Sequence, residues 1–280
     1  MLYVFFLTFT ACEKKSTESK IYVSCYPLEY FTKLIIKDAY VESIIPTGVD
    51  PHHFEPSMRD IQNLYNSKAV IYIGDSDIDR WLDKIKEELK QKGVKVIRLQ
   101  DKLSLKSYSS KGDIDPHIWL DPIMSLEILK ILKDLSLKLN PKNSSEYEKI
   151  FREYEKKLIE LDSLYRNTLS RCLKRDIIVT HEFLNYLGSR YGFNSYFIVH
   201  EPEEEVSLKR IRELKEFMRK NSITYIITEP EGEIIAKALS EETKAKILNF
   251  DTFHRKTEKD YIEVMKENLV SLKTALNCIE

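Results

Sequence analysis

The residues from Ser145 to Ser170 read SEYEKIFREYEKKLIELDSLYRNTLS, and this stretch near the middle of the chain stands out. Its apolar side chains recur at helical spacing along the whole length, which predicts one continuous helix. A capping box of Ser145 and Glu148 would begin this helix. At 1.5 Å per residue it would be roughly 35–40 Å long, which is more than one domain needs. We therefore predict a rigid connector between two lobes; the alternative is a long surface helix of a single domain.

Short β-rich runs lie on both sides of this helix, four before it and four after it. Several are continuously apolar, as in VIYI and IIVT, which is typical of parallel strands covered on both faces. Helical patterns separate the runs, with predicted starts at Ser57 (with Asp60) and at Asp121 (with Pro122). The strand candidates are Ile21–Cys25, Val41–Pro46, Ala69–Gly74, Val94–Leu99, Asp176–His181, Ser195–His200, Thr224–Thr228 and Lys246–Phe250.

This alternation of strands and helices predicts the α/β class. We expect two lobes, each with a mostly parallel central sheet flanked by helices, joined by the one long connecting helix. The N-terminal lobe would span residues 21–142, the linker helix 143–172 and the C-terminal lobe 173–280. A chain of 280 residues is long enough for two such domains.

Residues 1–20 predict a lipoprotein signal peptide and a polar tether. The apolar run MLYVFFLTFTA is far shorter than the ~20 residues of a membrane-spanning helix, and it is typical of a signal peptide. The sequence FTAC, ending at Cys12, resembles a bacterial lipoprotein cleavage box, with Phe9 where Leu is usual. We therefore expect a protein of the periplasm or cell surface, anchored to the membrane by a lipid on Cys12.

Charge and cysteine content argue against nucleic-acid binding and against a site or framework built from cysteines. Lys and Arg number 44 against 45 Asp and Glu, so nothing favours nucleic acid as a partner. Cleavage before Cys12 would leave Cys25, Cys172 and Cys278, an odd number that argues against a disulfide framework or a cysteine metal site. Cys172 and Cys278 could still pair in an oxidising compartment, and the sequence leaves this open.

Four residues carry the chemistry of a metal site. His52 lies in PTGVDPHHFEP, His117 lies in DPHIWLDP, His181 ends a predicted strand and Asp251 follows another. The carboxyl ends of parallel strands are where α/β folds bind ligands. Three imidazoles and a carboxylate suit zinc, and the carboxylate oxygen also admits manganese.

Each of these residues also has an ordinary structural interpretation, because Asp-Pro turns and strand-end histidines are common. His53 is a poorer candidate than His52, since neighbours on an extended segment point opposite ways. His200 and His254 follow no pattern, and we interpret them as structural or surface residues. Metal-bound histidines usually donate their second N–H to an acceptor. The acidic candidates for that role are Asp50, Glu55, Asp115, Asp121, Glu182 and Glu229.

The motifs around these residues resemble those of the metal-binding solute-binding lipoproteins of zinc and manganese ABC importers. PTGVDPHHFEP and DPHIWLDP are similar to the first two ligand segments, which implies His52 and His117 as ligands. THEFLNYLGSRYGF is similar to the third segment and points to His181, although Glu182 stands where the family usually has Asp. ITEPEGEIIAKALSEETKAKILNFD is similar to the stretch that runs to the fourth ligand, here Asp251.

The resemblance covers nearly the whole chain after the tether and implies two lobes with the metal buried between them. It also implies a receptor rather than an enzyme, a monomer that passes its ion to an ABC transporter permease. Zinc is favoured because His181 stands where manganese-preferring members often carry a carboxylate. The stretch Lys102–Asp113 has no histidine, which argues the other way. The alternatives are a manganese-specific receptor or adhesin and a metal-dependent hydrolase with Glu182 as its base.

Overall fold

Two parallel β-sheets lie on either side of the long helix in sequence. The computed structural model describes residues 20–49, 51–107, 112–200 and 206–279. The strands of the first sheet are β1 (Lys20–Val23), β2 (Tyr40–Ser43), β3 (Ala69–Tyr72) and β4 (Lys95–Arg98). Those of the second sheet are β5 (Asp176–Val179), β6 (Asn194–Phe197), β7 (Tyr225–Thr228) and β8 (Lys246–Asn249).

The two sheets have the same strand order, β2-β1-β3-β4 in the first and β6-β5-β7-β8 in the second. Every pairing is parallel. All four residues of β3 are buried, as expected of a central strand with helices on both faces. In each sheet the order reverses between the first and third strands of its half. Such switch points are where open α/β sheets bind ligands.

The predicted α/β class is confirmed, and every strand candidate overlaps a strand. Each strand is shorter than its candidate, and β1, β2 and β6 each begin one residue before it. Ser57 and Asp60 form a reciprocal capping box, and Asp121 caps the helix whose first residue is Pro122. The helices are α1 (Tyr26–Ile35), α2 (Met58–Tyr65), α3 (Lys86–Gln91), α4 (Pro122–Leu139), α5 (Ser144–Leu169), α6 (Asn185–Tyr191), α7 (Leu208–Lys220), α8 (Glu233–Thr243) and α9 (Tyr261–Ala275).

The long helix is present as α5, which has 26 residues and buries one apolar stripe along its length. Its predicted capping box is wrong. A turn over Pro141–Asn143 continues directly into the helix, so Ser145 already lies inside the first turn. Glu148 pairs with Arg152 and Lys133 instead of reaching back to the helix start.

Buried aromatic side chains join the two halves of the molecule into one continuous core. The ring of Phe253 lies 5.4 Å from Tyr26 and 5.1 Å from Tyr30, centroid to centroid. The indole N–H of Trp119 donates to the carbonyl oxygen of Thr252 at 2.7 Å. These contacts fix the two sheets relative to each other beside the long helix.

The cysteines and the lengths of the helices can be compared with the predictions from the sequence. Cys172 and Cys278 form a disulfide that ties the end of α5 to the residues after α9, while Cys25 is free and buried. In the described ranges, none of the helices is both apolar and long enough to cross a bilayer. The predicted signal peptide, its tether up to residue 19 and Cys12 lie outside the described residues.

Candidate metal centre

Three histidines from distant parts of the chain meet in one place. His52 lies in the short turn Pro51–His53, His117 directly precedes the turn Ile118–Leu120, and His181 follows β5. One nitrogen of each ring lies within 4.8 Å of one nitrogen of the other two. The ring centroids are 5.3 to 6.0 Å apart. This spacing fits three imidazoles that share one small cation.

Each of these rings has a carboxylate behind it, on the Nδ1 side. The pairs are His52 with Asp77 at 2.6 Å, His117 with Asp115 at 2.9 Å, and His181 with Glu229 at 2.8 Å. A carboxylate at Nδ1 fixes that nitrogen as the N–H and leaves Nε2 as the lone-pair donor for a metal. The Nε2 atom of His181 is buried and has no hydrogen-bond partner within the described part of the chain.

Asp115 positions His117 through both its backbone and its ring. Its Oδ1 accepts both the backbone N–H of His117 and the ring N–H, each at 2.9 Å. Its Oδ2 accepts from the amide of Asn185 at 3.1 Å, and its carbonyl accepts from the hydroxyl of Tyr186. Asn185 and Tyr186 belong to α6, so residues of the second half orient a ring of the first half.

Glu229 holds His181 across the switch point of the second sheet. It follows β7, whose neighbour β5 leads into His181, and it also accepts from the hydroxyl of Thr180 at 2.7 Å. Burial alone would raise the pKa of Glu229, but the His181 ring and the Thr180 hydroxyl outweigh it and lower that pKa. Glu229 is therefore a buried carboxylate at neutral pH.

The electrostatics favour a neutral ring at His117, which is the form that binds a metal. The pKa of His117 lies below its ordinary value because the ring is buried, and the neighbouring His181 and His52 lower it further. Asp115 opposes this shift without reversing it. The His117 ring therefore keeps its lone pair available at a lower pH than an ordinary histidine does.

The structure does not bring Asp251 to the three histidines. Asp251 is exposed. Its carboxylate is not part of the group formed by the three histidines, and it does not line the cavity beside them. It follows β8, an edge strand, and the chain turns sharply there. The carboxylate accepts the backbone N–H of Phe253 at 2.7 Å and so caps that turn. The physical cause is this local turn, which directs the side chain away from the cluster.

The cluster opens into a cavity of about 160 Å³ whose wall includes residues that the sequence analysis missed. His254, interpreted as a structural or surface residue, lies in this wall together with Glu231, Thr252 and Arg255. Asp77, the partner of His52, was not among the predicted acceptors. No spacing rule connects residues of separate loops, so only the folded chain reveals them.

The remaining candidates have other surroundings. His53 and His200 are exposed, as is Glu55. Asp121 caps α4 and pairs with Arg190 at 2.5 Å, and Glu182 accepts from the amide of Asn185 at 3.1 Å. Asp50 lies outside the described residues.

The chain matches a family model described as "Zinc-uptake complex component A periplasmic", ZnuA, over residues 21–275. It is similar to the high-affinity zinc uptake system protein ZnuA of Bacillus subtilis, with 30% identity across 97% of this chain and 94% of that protein. It is also similar to the Zn(II)-bound crystal structure of AdcA from Streptococcus pneumoniae, with a TM-score of 0.82 and 29% identity over 93% of this chain. The chain covers 58% of the length of that AdcA structure.

A third similar structure is a mutant of the laminin-binding adhesin Lmb from Streptococcus agalactiae. Its TM-score is 0.82 at 25% identity, over 91% of this chain and 98% of that one. The fold of this chain is therefore shared by proteins described as zinc-uptake components and by one described as an adhesin.

Proposed function

We infer the function of this chain from its family, because the chain belongs to the ZnuA family of periplasmic zinc-uptake components. It is a zinc-binding receptor of an ABC uptake system and not an enzyme. The observation that carries this function is the group of three buried imidazoles, each backed by a carboxylate. Nitrogen-rich sites bind zinc in preference to manganese.

The ligands in this proposal are His52, His117 and His181, which bind the ion through Nε2. Three nitrogens suit tetrahedral zinc and leave one position for a further ligand. Asp251 was predicted for that position, and its exposed place on the turn after β8 gives it no support. The lobes in this account are residues 21–142 and 173–280, with residues 143–172 as their link.

A competition titration tests this function. The purified protein is stripped with a chelator, then offered zinc and manganese separately and together. We expect one equivalent of zinc, bound far more tightly than manganese, and much weaker zinc binding in His181→Ala. The absence of stoichiometric zinc would refute the proposal, and preferential manganese binding would assign the protein to manganese instead.

In the cell, the receptor acts as a monomer that is held by a lipid on Cys12 near its permease. The cleavage-box sequence ending at Cys12 supports the anchor. Replacement of this cysteine, Cys12→Ser, should move the protein from the membrane fraction to the soluble fraction without changing its zinc affinity. A Cys12→Ser protein that stays in the membrane fraction would contradict lipid anchoring.

Adhesion is the second candidate function, favoured by the similarity to the laminin-binding adhesin Lmb. Immobilised laminin offers a direct test with wild type and His181→Ala. Saturable laminin binding that survives in the variant would establish an adhesin role independent of the metal. No binding by either protein would rule out laminin adhesion for this chain.

A further inference from the structure

The cavity beside the three histidines contains a carboxylate that none of the three rings uses. Glu231 lies in the short turn Pro230–Gly232, two residues after Glu229, the partner of His181. It lines the same cavity as the three histidines. The carboxylates behind the rings are already engaged at Nδ1. Among the described residues that line this cavity, Glu231 is therefore the acidic side chain not engaged with one of the three rings.

The turn that contains Glu231 packs closely against Thr180 and Glu229, which adjoin the metal centre. A β-carbon at Gly232 would lie 2.6 Å from the side chain of Thr180 and 2.7 Å from Oε1 of Glu229. Real β-carbons do not approach other atoms so closely, so this position requires glycine. The close approach holds residue 231 beside the hydrogen-bonded group of Thr180, Glu229 and His181.

The two oxygens of Glu231 have different surroundings. Oε1 pairs with Nε2 of His254 at 3.1 Å and with the guanidinium of Arg255. Oε2 is buried and has no hydrogen-bond partner in the described ranges, and the same is true of Nε2 of His181. Buried polar atoms without partners are rare in folded proteins. Two such atoms at one cavity indicate a ligand that satisfies both, and a divalent cation does so.

Charge gives a second reason for a carboxylate at this site. Three neutral imidazoles bring no negative charge into direct contact with zinc, and the carboxylates at their Nδ1 atoms act on the ion only through the rings. A directly bound carboxylate compensates the charge of the ion at a shorter distance, where the attraction is stronger. It also completes the three-nitrogen, one-oxygen set that suits zinc.

We propose that Glu231, and not Asp251, is the carboxylate ligand of this metal centre, and that His254 and Arg255 hold it when it is not bound to the ion. In the present arrangement Glu231 is outside the group of described residues whose ligand atoms all lie within 4.8 Å of one another, which consists of the three histidines. Metal capture therefore includes a rotation of the Glu231 side chain away from its two partners. This inference rests on the proposed function, since it assigns the fourth ligand of the same zinc site.

The test compares Glu231→Gln with Asp251→Asn in zinc competition titrations on the full chain. Both changes remove one charge and keep the side-chain size, so they are matched. We expect about tenfold or greater loss of zinc affinity in Glu231→Gln, in line with losses at metal-site residues, and wild-type affinity in Asp251→Asn. Manganese binding should fall further than zinc binding in Glu231→Gln, because manganese prefers oxygen ligands.

Arg255→Met should change the zinc affinity in the opposite direction to Glu231→Gln. It removes a partner from which Glu231 must separate, so zinc affinity should rise by about two- to fivefold, as expected of a half-exposed ion pair. The double variant Glu231→Gln with Arg255→Met should lose this gain. A merely structural role for Glu231 would make Arg255→Met weaken binding as well, and that result would overturn the proposal.

Cobalt(II) gives a readout that does not depend on affinity. The visible spectrum of the cobalt-loaded protein should change in Glu231→Gln and stay unchanged in Asp251→Asn, because only the former alters the ion's own ligands. Wild-type affinity and spectrum in Glu231→Gln would refute this assignment while leaving the zinc receptor intact. Failure of the wild type to bind zinc would instead refute the proposed function.

Discussion

At the residue scale, the main feature of this metal centre is the carboxylate at Nδ1 of each histidine ring. Asp77, Asp115 and Glu229 each accept at Nδ1, and they come from three different loops. Such partners fix the tautomer and the orientation of a metal-bound histidine. Asp115 and Glu229 are almost completely buried, so their negative charge acts on the rings with little screening by water.

Removal of the charge behind His181 should weaken the site without removing a ligand. Glu229→Gln keeps the shape of the side chain, but it no longer stabilises the positive charge that the ring gains on binding zinc. We expect about 10–100-fold weaker zinc binding, measured by chelator competition. Glu233→Gln is the matched control, since Glu233 is an exposed partner of Lys237 on α8. Wild-type affinity in Glu229→Gln would show that this carboxylate does not act on the metal.

The lowered pKa of His117 predicts how the zinc-free protein responds to acid. Its pKa in the folded chain lies below the unfolded value of about 6.5, so the unfolded chain binds the proton more readily. The contribution of His117 to stability is therefore fully present above pH 6.5. It is lost as the pH falls through the folded pKa, at up to about 1.4 kcal/mol for each pH unit.

Urea unfolding of the chelator-treated protein between pH 7.5 and pH 5, in wild type and His117→Gln, measures this contribution. The free energy of unfolding should fall more steeply toward acid in the wild type than in the variant. Equal slopes would mean that burial does not shift the pKa of His117.

The sequence predicts the three histidines because each lies in a motif or at a strand end. It does not predict Asp77, Glu231 or His254 as members of the site. Asp77 is 25 residues from His52 in sequence, and Glu231 and His254 are 50 and 73 residues from His181. No local pattern marks these three residues, and only folding brings them to the metal centre and its cavity. Asp251 shows the opposite case, since a local turn determines where its carboxylate lies.

At the element scale, the long helix α5 and the strand pattern follow from periodicity. The apolar stripe of α5 was visible in the sequence, and it is the stripe that is buried. The helix start was not predicted correctly, because the turn at Pro141–Asn143 feeds straight into the helix. Periodicity reports burial along an element, whereas its ends depend on single hydrogen bonds at the termini.

Two leucines of α5 provide a matched pair for measuring that burial. Leu158 is completely buried and Leu164 is 41% exposed. Leu158→Ala should lower the free energy of unfolding by about 2–5 kcal/mol through the cavity it leaves. Leu164→Ala should change it by only about 0.5 kcal/mol, as is usual for surface substitutions. Similar losses in the two variants, measured by urea unfolding, would contradict the orientation of α5 described above.

At the scale of the whole molecule, the sheets are joined by more than the linker helix. Phe253 packs against Tyr26 and Tyr30, and Trp119 donates to Thr252 across the same interface. The sequence predicted the connector but not this aromatic contact, because its members are more than 100 residues apart. The contact argues against a large hinge movement when the ion binds.

Small-angle X-ray scattering measures that movement. We expect the scattering profiles of the zinc-free and zinc-loaded protein to superimpose, since the buried aromatic contacts persist in both forms. A clear decrease in the radius of gyration on zinc addition would indicate hinge closure and would contradict a rigid arrangement of the lobes.

We expect His52, His117 and His181 to bind one zinc ion through their Nε2 atoms. Zinc-edge X-ray absorption on the protein loaded with one equivalent of zinc measures these ligands. We predict a first shell at about 2.0–2.1 Å with the outer-shell scattering of three imidazole rings, and of two in His181→Ala. A first shell of oxygen alone, or the same imidazole count in wild type and His181→Ala, would contradict the claim.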